Sequence, residues 1–474
     1  MILAVVAAVG VLASPQTFAT AGRSATATLL NTYYAGGGMW RKCNAPDCGT
    51  GNQDWGVDSL TYTLALRYRA THDARLLLPL RELEQTAPTY PAPCPSTNAC
   101  GSWSDVPEWD AIALVDEYQA THDPATLAKA EAAFAFVEQS GVYALGACPS
   151  IDYQQPHGGG NKLKTLETGA NAIKAALLLY RVTGKPEYLA AARTHYDAVR
   201  AYFLDPRVPL YTVYVFDDGT TCTPVPHRFF ASVNGDMIWS GVELFRVTGV
   251  RRYLDDAVAT AKAVDRDLSD GRGVFADLQA ENDIVEPLVE GMAALHEPFA
   301  RAWIVRNAAA ALSARAPDGS FGRFFDGPPP ATTVTAWQTN GGLALEIAAA
   351  ALAPATTVNG APAWSGASLV PHEIAAAPAM LVFRGSGIAL LGTLGEQCCE
   401  PGHARVLIDG RETFDQTGIW QNKSSSGRSI ERTVLFAWRW RTSGVHTITF
   451  EPATENAKEG GTFLHLVGYE LPRR

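Results

Sequence analysis

One phrase returns four times in the first 250 residues of the chain, and this restricts the fold more than any other feature. It reads LALRYRATHD from Leu64, ALVDEYQATHD from Ala113, ALLLYRVTGK from Ala176 and GVELFRVTGV from Gly241. The aligned aromatics are Tyr68, Tyr118, Tyr180 and Phe245, spaced 50, 62 and 65 residues apart. Each phrase reads as the second half of one helix and the turn into the next, so the repeated unit is a helical hairpin. Stacked hairpins either run on as an open solenoid or close into a ring.

Amphipathic spacing predicts helices over Asp58–Ala70, Trp109–Ala120, Asn171–Val182 and Asp236–Val247. Their partners are Ala125–Gln139, Pro186–Ala201 and Tyr253–Asp265, with a fifth unit in Val285–Leu312 and a sixth around Thr339–Ala353. Six such units suit a mainly α fold, a closed (α/α)6 barrel over residues 25–353. The repeats are longer and less uniform than those of most open solenoids. Residues 354–366 are rich in Ala, Pro, Thr and Gly and read as a linker. Beyond it, MLVFRGSGIALLGTL, ARVLIDGRETF, RTVLFAWRW, VHTITFE and FLHLVGYEL predict an all-β sandwich over 367–474.

With 474 residues, 47% of them apolar, there is material for a large core and more than one domain. The net charge of −10 comes without any basic block, which argues against nucleic acid or an anionic membrane as partner. Residues 1–21 are expected to be a signal peptide: Ile2–Ala13 is apolar and Ala19-Thr20-Ala21 fits a cleavage signal. The competing reading is a buried N-terminal helix. Eight cysteines support an oxidising, extracellular setting. Cys43/Cys48, Cys94/Cys100 and Cys398/Cys399 group locally, and Cys148 with Cys222 would tie two inter-helix loops. No C-x-x-C and no His pair at ligand spacing is present, so neither metal nor cofactor is expected. Asn422-Lys423-Ser424 is a glycan acceptor sequence.

In a closed ring all inner helices start on one face, so residues at their starts are the site candidates. They are Asp54, Trp55 and Asp58; Trp103, Asp105, Glu108, Trp109 and Asp110; Glu167 and Asn171; Asn234 and Asp236; Glu286 and Glu290; and Trp337, Gln338 and Asn340. Acidic residues and amides there also cap helices and favour the macrodipole. The case for a site rests on the second unit, where three carboxylates and two indoles fall within Trp103–Asp110 and capping needs only one. Trp faces stack on sugar rings, and paired carboxylates are what glycosidic cleavage requires. His157 and His227 read as polar loop residues. Gly158–Gly160 has neither the strand–helix context nor the Lys-Ser/Thr of a phosphate loop. Tyr153, Tyr211, Tyr214 and Phe216 suit a cleft wall or loop packing.

This layout, with Trp103-Ser104-Asp105 opening the second inner helix, resembles the six-hairpin glycosidases, and most of all glycoside hydrolase family 76, the endo-α-1,6-mannanases. The resemblance covers roughly Asn31–Leu352. It is carried by NAIKAALLLYRVTG from Asn171 and by Trp337-Gln338 in the last inner helix. It implies two adjacent aspartates at the second inner helix, one nucleophile and one acid/base. Asp105 matches the first, but Val106 stands in the second place. Trp103-Ser104-Asp105 and Asn234-Gly235 are also similar to motifs of the unsaturated glucuronyl and rhamnogalacturonyl hydrolases, where one aspartate can suffice. The C-terminal part resembles galactose-binding-like carbohydrate-binding modules, through Gly385–Gly392, Ala404–Gly410, Trp420 and the Phe436–Trp440 strand.

The reading is therefore a secreted, monomeric glycoside hydrolase acting on a polysaccharide or oligosaccharide. Asp105 would be catalytic with Asp236 or Glu108 as partner. Trp103, Trp109, Asp58, Glu167, Asn171, Asn234, Trp337 and Gln338 would contact substrate. A lyase would need a Tyr or His base and cations for a uronate, and Lys and Arg are sparse near these helix starts. The third reading is a non-catalytic glycan-binding protein, for which Val106 speaks.

Overall fold

The structure is a computed structural model that describes residues 14–51, 55–86, 89–90, 104–138, 146–151, 162–225, 229–276, 285–330, 334–352, 364, 379–394, 404–411, 418–419, 430–452 and 466–472. Twelve α-helices occupy its first three-quarters: α1 Pro15–Thr28, α2 Trp55–Thr71, α3 Leu77–Thr86, α4 Val106–Thr121, α5 Pro124–Glu138, α6 Leu166–Thr183, α7 Pro186–Phe203, α8 Ala231–Thr248, α9 Arg251–Asp267, α10 Glu286–Ala294, α11 Pro298–Ser313 and α12 Ala336–Leu352. The even-numbered helices pack each on the next, and α12 packs on α2, so the ring closes. The odd-numbered helices lie outside it, with α1 against α12. This is the (α/α)6 barrel, not a solenoid. The inner helices are buried on both sides, by the axis and by the outer ring. In α6 every residue from Thr168 to Leu179 is buried, and an all-round apolar surface is what such a position requires.

The repeated phrase is the C-terminal cap of the inner helices. After each aromatic, the fourth residue turns into the left-handed region: His72 (φ 53°), His122 (φ 56°), Gly184 (φ 71°) and Gly249 (φ 71°). Its N–H donates back to the aromatic residue's carbonyl, at 2.7 Å for Tyr68 and Tyr118 and 2.8 Å for Tyr180 and Phe245. The preceding threonine donates its hydroxyl to a carbonyl one turn back, as from Thr183 to Leu179 at 2.7 Å. Carbonyls that a helix end leaves without partners are thereby satisfied.

α1 begins ahead of the expected barrel boundary at residue 25. Ser14 caps it, accepting from the Thr17 N–H, and Phe18, Ala21, Gly22 and Ala25 are buried on it. The Ala19-Thr20-Ala21 signal therefore lies inside an outer barrel helix. The expected fifth unit resolves into α10 and α11, and the sixth inner helix is α12.

Two small antiparallel sheets stand among the connecting loops: β1 Tyr34–Gly36, β2 Met39–Arg41 and β3 Thr50–Gly51 in chain order, then β4 Leu163–Thr165, β5 Tyr214–Asp217 and β6 Cys222–Pro224. Disulfides join Cys43 to Cys48 and Cys148 to Cys222. Cys94, Cys100, Cys398, Cys399 and the Asn422 acceptor sequence lie outside the described residues. The C-terminal strands are β7 Ala379–Leu394, β8 Ala404–Ile408, β9 Gly418–Ile419, β10 Ile430–Pro452 and β11 Leu466–Glu470. They form one antiparallel sheet, ordered β11-β7-β10-β8-β9. Among the described residues this is the only sheet of that domain. Its inner face carries Phe383, Ile388, Val406, Phe436, Ile448 and Phe450.

Candidate active site

The inner helices open on one face. The loops there are braced from behind: buried Lys164 donates to the Cys148 carbonyl at 2.7 Å and pairs with Asp217 at 3.2 Å. Asp217 also accepts from the Ala147 and Cys148 N–H groups, both at 2.9 Å. An ion pair, a disulfide and a sheet thus fix one wall.

Asp105 is the N-cap residue of α4, yet its side chain makes no capping bond. Burial raises its pKa from 3.8 to about 6. Trp109 follows one turn on, and its indole N–H donates to the Asn171 amide oxygen at 3.0 Å, while the Asn171 nitrogen donates to Asp236 Oδ2 at 3.3 Å, in the amide orientation that satisfies both neighbours. Asp236 Oδ1 accepts from the Lys174 ammonium at 2.7 Å. The same ammonium is 2.8 Å from Glu290 Oε2. It also lies over the rings of Tyr62 and Trp239, at 5.0 and 5.7 Å from their centroids. Burial works against this ammonium, but Asp236 and Glu290 outweigh it and hold its pKa above the ordinary value. Asp236 is pushed up to about 6 because burial exceeds the help it receives from Lys174. Further along α4, buried Asp116 meets Arg69 at 3.4 Å. A chain of five helices, α2, α4, α6, α8 and α10, thus converges on one cation.

Sequence reasoning placed Asp105, Trp109, Asn171 and Asp236 at the helix starts, and the structure joins the last three through hydrogen bonds. Glu108 is buried in the first turn of α4. Asp110 points elsewhere and accepts from the Tyr90 hydroxyl, beside Phe136 of the outer ring. Glu167 is half-buried in the first turn of α6. Two expected substrate contacts do backbone work instead. Asn234 accepts from the Tyr211 N–H at 2.9 Å and donates to the Tyr211 and Phe230 carbonyls at 3.0 and 2.8 Å, so its amide pins a loop to α8. Gln338 accepts from the Thr335 N–H at 3.3 Å while the Thr335 hydroxyl accepts from the Gln338 N–H at 3.3 Å, a reciprocal cap on α12. Gly235 is needed for packing: a Cβ there would stand 2.3 Å from the Leu288 backbone of α10. Trp103, Tyr153, His157 and His227 lie outside the described residues, as do the side chains of Asp58 and Trp337. Tyr211 is buried, and Phe216 is 41% exposed.

Glu290, a candidate from the fifth unit, joins this network through Lys174, and Lys174 and Tyr62 emerge as members that sequence reasoning did not select. The signal for Lys174 was a lone cation inside the apolar run Asn171–Tyr180, where an unpaired charge is not tolerated.

No family model matches the chain, and no curated protein does. Solved structures do. The α-1,6-mannanase of Salegentibacter sp. HEL1_6 is 20% identical, with a TM-score of 0.60, and is matched over 99% of its length by 71% of this chain. Its inactive variant, with two consecutive aspartates replaced, was solved with α-1,6-mannotetrose and superposes with a TM-score of 0.61. A family 76 glycoside hydrolase from a bovine Bacteroides thetaiotaomicron strain is 16% identical, with a TM-score of 0.62 over 70% of this chain and 77% of its own. The fold is that of the family 76 barrels. The mannanase is covered almost whole by less than three-quarters of this chain, so the chain carries substantial length beyond that barrel.

Proposed function

We propose that this protein is a secreted glycoside hydrolase that cleaves an α-mannan-type polysaccharide or oligosaccharide at the open face of its barrel. The observation that carries the reading is Asp105. It opens the second inner helix without capping it, and burial raises its pKa to about 6. A carboxyl that keeps its proton close to neutral pH can protonate a departing glycosidic oxygen. Trp109, one turn on, is buried with its indole N–H on Asn171, so it braces the start of α4 rather than offering a face to sugar, and the shared fold with mannan-cleaving enzymes supports the substrate class. Two disulfides support an extracellular setting, and the C-terminal sheet domain is read as a glycan-binding appendage.

The test is release of reducing ends from α-1,6-mannan, α-1,6-mannotetraose and uronate oligosaccharides by the wild type and Asp105→Asn. The expected result is hydrolysis of the mannan substrates, reduced on the order of 10²- to 10⁴-fold in the variant. In the wild type, kcat/KM should fall as pH rises through about 6, because the general acid must be protonated. Rising ultraviolet absorbance on uronates would instead identify a lyase. Val106 favours a second reading, a non-catalytic glycan-binding protein, and mannan retention without release by both proteins would establish it.

A further inference from the structure

We propose that Trp440, with Asp409 and His446, forms a second sugar-binding site, which domain docking places on the same face of the barrel as Asp105. Its ligand rests on the hydrolase reading above: a further stretch of the mannan chain that enters the barrel.

Topology decides where the sheet docks. The inner helices start on the open face, so the loops that lead into them from the outer helices lie there. Two such loops hold the C-terminal sheet, one between α9 and α10 and one between α11 and α12. In the first, the Gly271 N–H donates to the Arg439 carbonyl at 2.9 Å. A Cβ at Gly271 would stand 3.1 Å from the Trp440 Cα. In the second, Asp326 pairs with Arg439 Nε at 3.2 Å, and a Cβ at Gly327 would stand 3.5 Å from the Ala437 Cβ. Trp440 thus sits at the rim of the open face, where β10 meets the loop leading into α10.

Arg439 turns its side chain to the barrel, and Trp440 turns to the end of β8. The Trp440 indole N–H donates to Asp409 Oδ2 at 3.2 Å. Its ring stacks on His446, with 3.9 Å between centroids and 18° between planes. His446 Nδ1 lies 2.9 Å from the same Asp409 oxygen, and the Thr447 N–H donates to Oδ1 at 2.8 Å. The indole is therefore fixed at its edge and on one face, yet it is only half-buried. Asp409 adopts the left-handed region (φ 52°), and its side chain is 42% exposed. Partial burial pushes its pKa up, but the Thr447 N–H and His446 outweigh that and hold it below 3.8. A carboxylate has about four lone-pair positions. Among the described residues Asp409 receives three donors, so a position on Oδ1 is left for a hydroxyl from outside. An immobilised indole beside an ionised acceptor suits a neutral sugar ring, whose C–H face lies on the aromatic while a hydroxyl donates to the carboxylate. Two sites on one rigidly joined face can hold a single polymer chain, and the second contact then comes at high effective concentration.

The test is electrophoresis of the full-length protein in native gels with and without α-1,6-mannan, beside kcat/KM on mannan and on α-1,6-mannotetraose. Mannan should retard the wild type, and Trp440→Ala should bind it about tenfold more weakly, the order expected for one aromatic contact. Its kcat/KM should fall about tenfold further on mannan than on the tetrasaccharide. Trp440→Phe keeps a ring against His446 and should recover most of the retardation, while Asp409→Asn should lose part of it. Far-ultraviolet circular dichroism checks that each variant folds, and the last two decide the matter if Trp440→Ala does not. Retardation of the folded variants equal to that of the wild type would overturn the assignment. So would equal losses on polymer and tetrasaccharide, or a wild type that mannan does not retard. A wild type that mannan retards but that releases no sugar removes the hydrolase reading instead, and the gel comparison still judges Trp440.

Discussion

At Gly184 and Gly249 the left-handed cap is free of Cβ strain, whereas His72, His122 and His296 adopt it with a side chain in place. The left-handed conformation costs an L-residue about 1–2 kcal/mol. Nothing stands within 4 Å of a Cβ built at Gly184, so Gly184→Ala isolates that cost. The variant should lose about 1 kcal/mol of stability, after the gain from a stiffer unfolded chain, read as a lower midpoint in urea unfolding with an unchanged slope. This cap was legible in the sequence as a recurring Thr-His or Thr-Gly after an aromatic. Asp105 stood out as a candidate because it lies in a segment with more acid and indole than capping needs. Lys174 was not, since a cation within an apolar run declares no partner, and its carboxylates lie 62 and 116 residues away. Asn234 and Gln338 misled for the opposite reason. An amide at a helix start looks the same whether it grips a sugar or a backbone, and here the backbone takes it.

At the scale of elements, four inner helices followed from the repeat and the closed ring from a count of six units, while the outer helix that begins the barrel did not. α1 is rich in Ala and Thr and carries a cleavage-like tripeptide, and its short apolar face reads as part of a leader until α12 is seen beside it. Its place in the barrel rests on Phe18, which is fully buried, and on links such as Thr28 Oγ1 donating to the Asp318 carbonyl at 2.8 Å. A chain starting at Gly22 loses Phe18, Ala21 and the Ser14 cap. It should be destabilised by about 3–5 kcal/mol, the usual cost of deleting a large buried side chain. The reference for it is a chain starting at Ser14, which keeps all of α1 and its cap. Comparing the thermal midpoints of the two checks this, and equal midpoints would show that α1 adds nothing.

Across the whole molecule, the barrel and the C-terminal sheet meet at a buried charge cluster. Arg439 of β10 donates to the Asp326 carbonyl at 2.9 Å, stacks on Trp364 at 4.2 Å, and its own carbonyl accepts from the Gly271 N–H at 2.9 Å. Arg272 reaches both Asp326 oxygens at 2.8 Å. Burial, together with the neighbouring Asp326 charge, raises the Asp270 pKa from 3.8 to about 8. The folded protein therefore holds a proton there that the unfolded chain releases near 3.8. The native state binds more protons across that window, so this group's contribution to stability falls as pH climbs from about 4 to about 8. Asp270→Asn keeps an acceptor for the Arg272 and Val274 N–H groups, at 2.8 and 3.0 Å in the wild type. The variant should flatten the decline in melting temperature between pH 5 and pH 8, and an unchanged slope would refute the account. The pairing of α1 with α12 has a further consequence, for how the chain is made. The ring's first and last helices are neighbours, yet more than 300 residues of sequence separate them. During synthesis Phe18 and its apolar companions must wait, without their partner, until nearly the entire barrel has been made. Closure is then a late, long-range event, slow by the entropy of the loop it seals, and the nascent protein depends on helper proteins or on speed to keep that waiting surface from sticking to its neighbours.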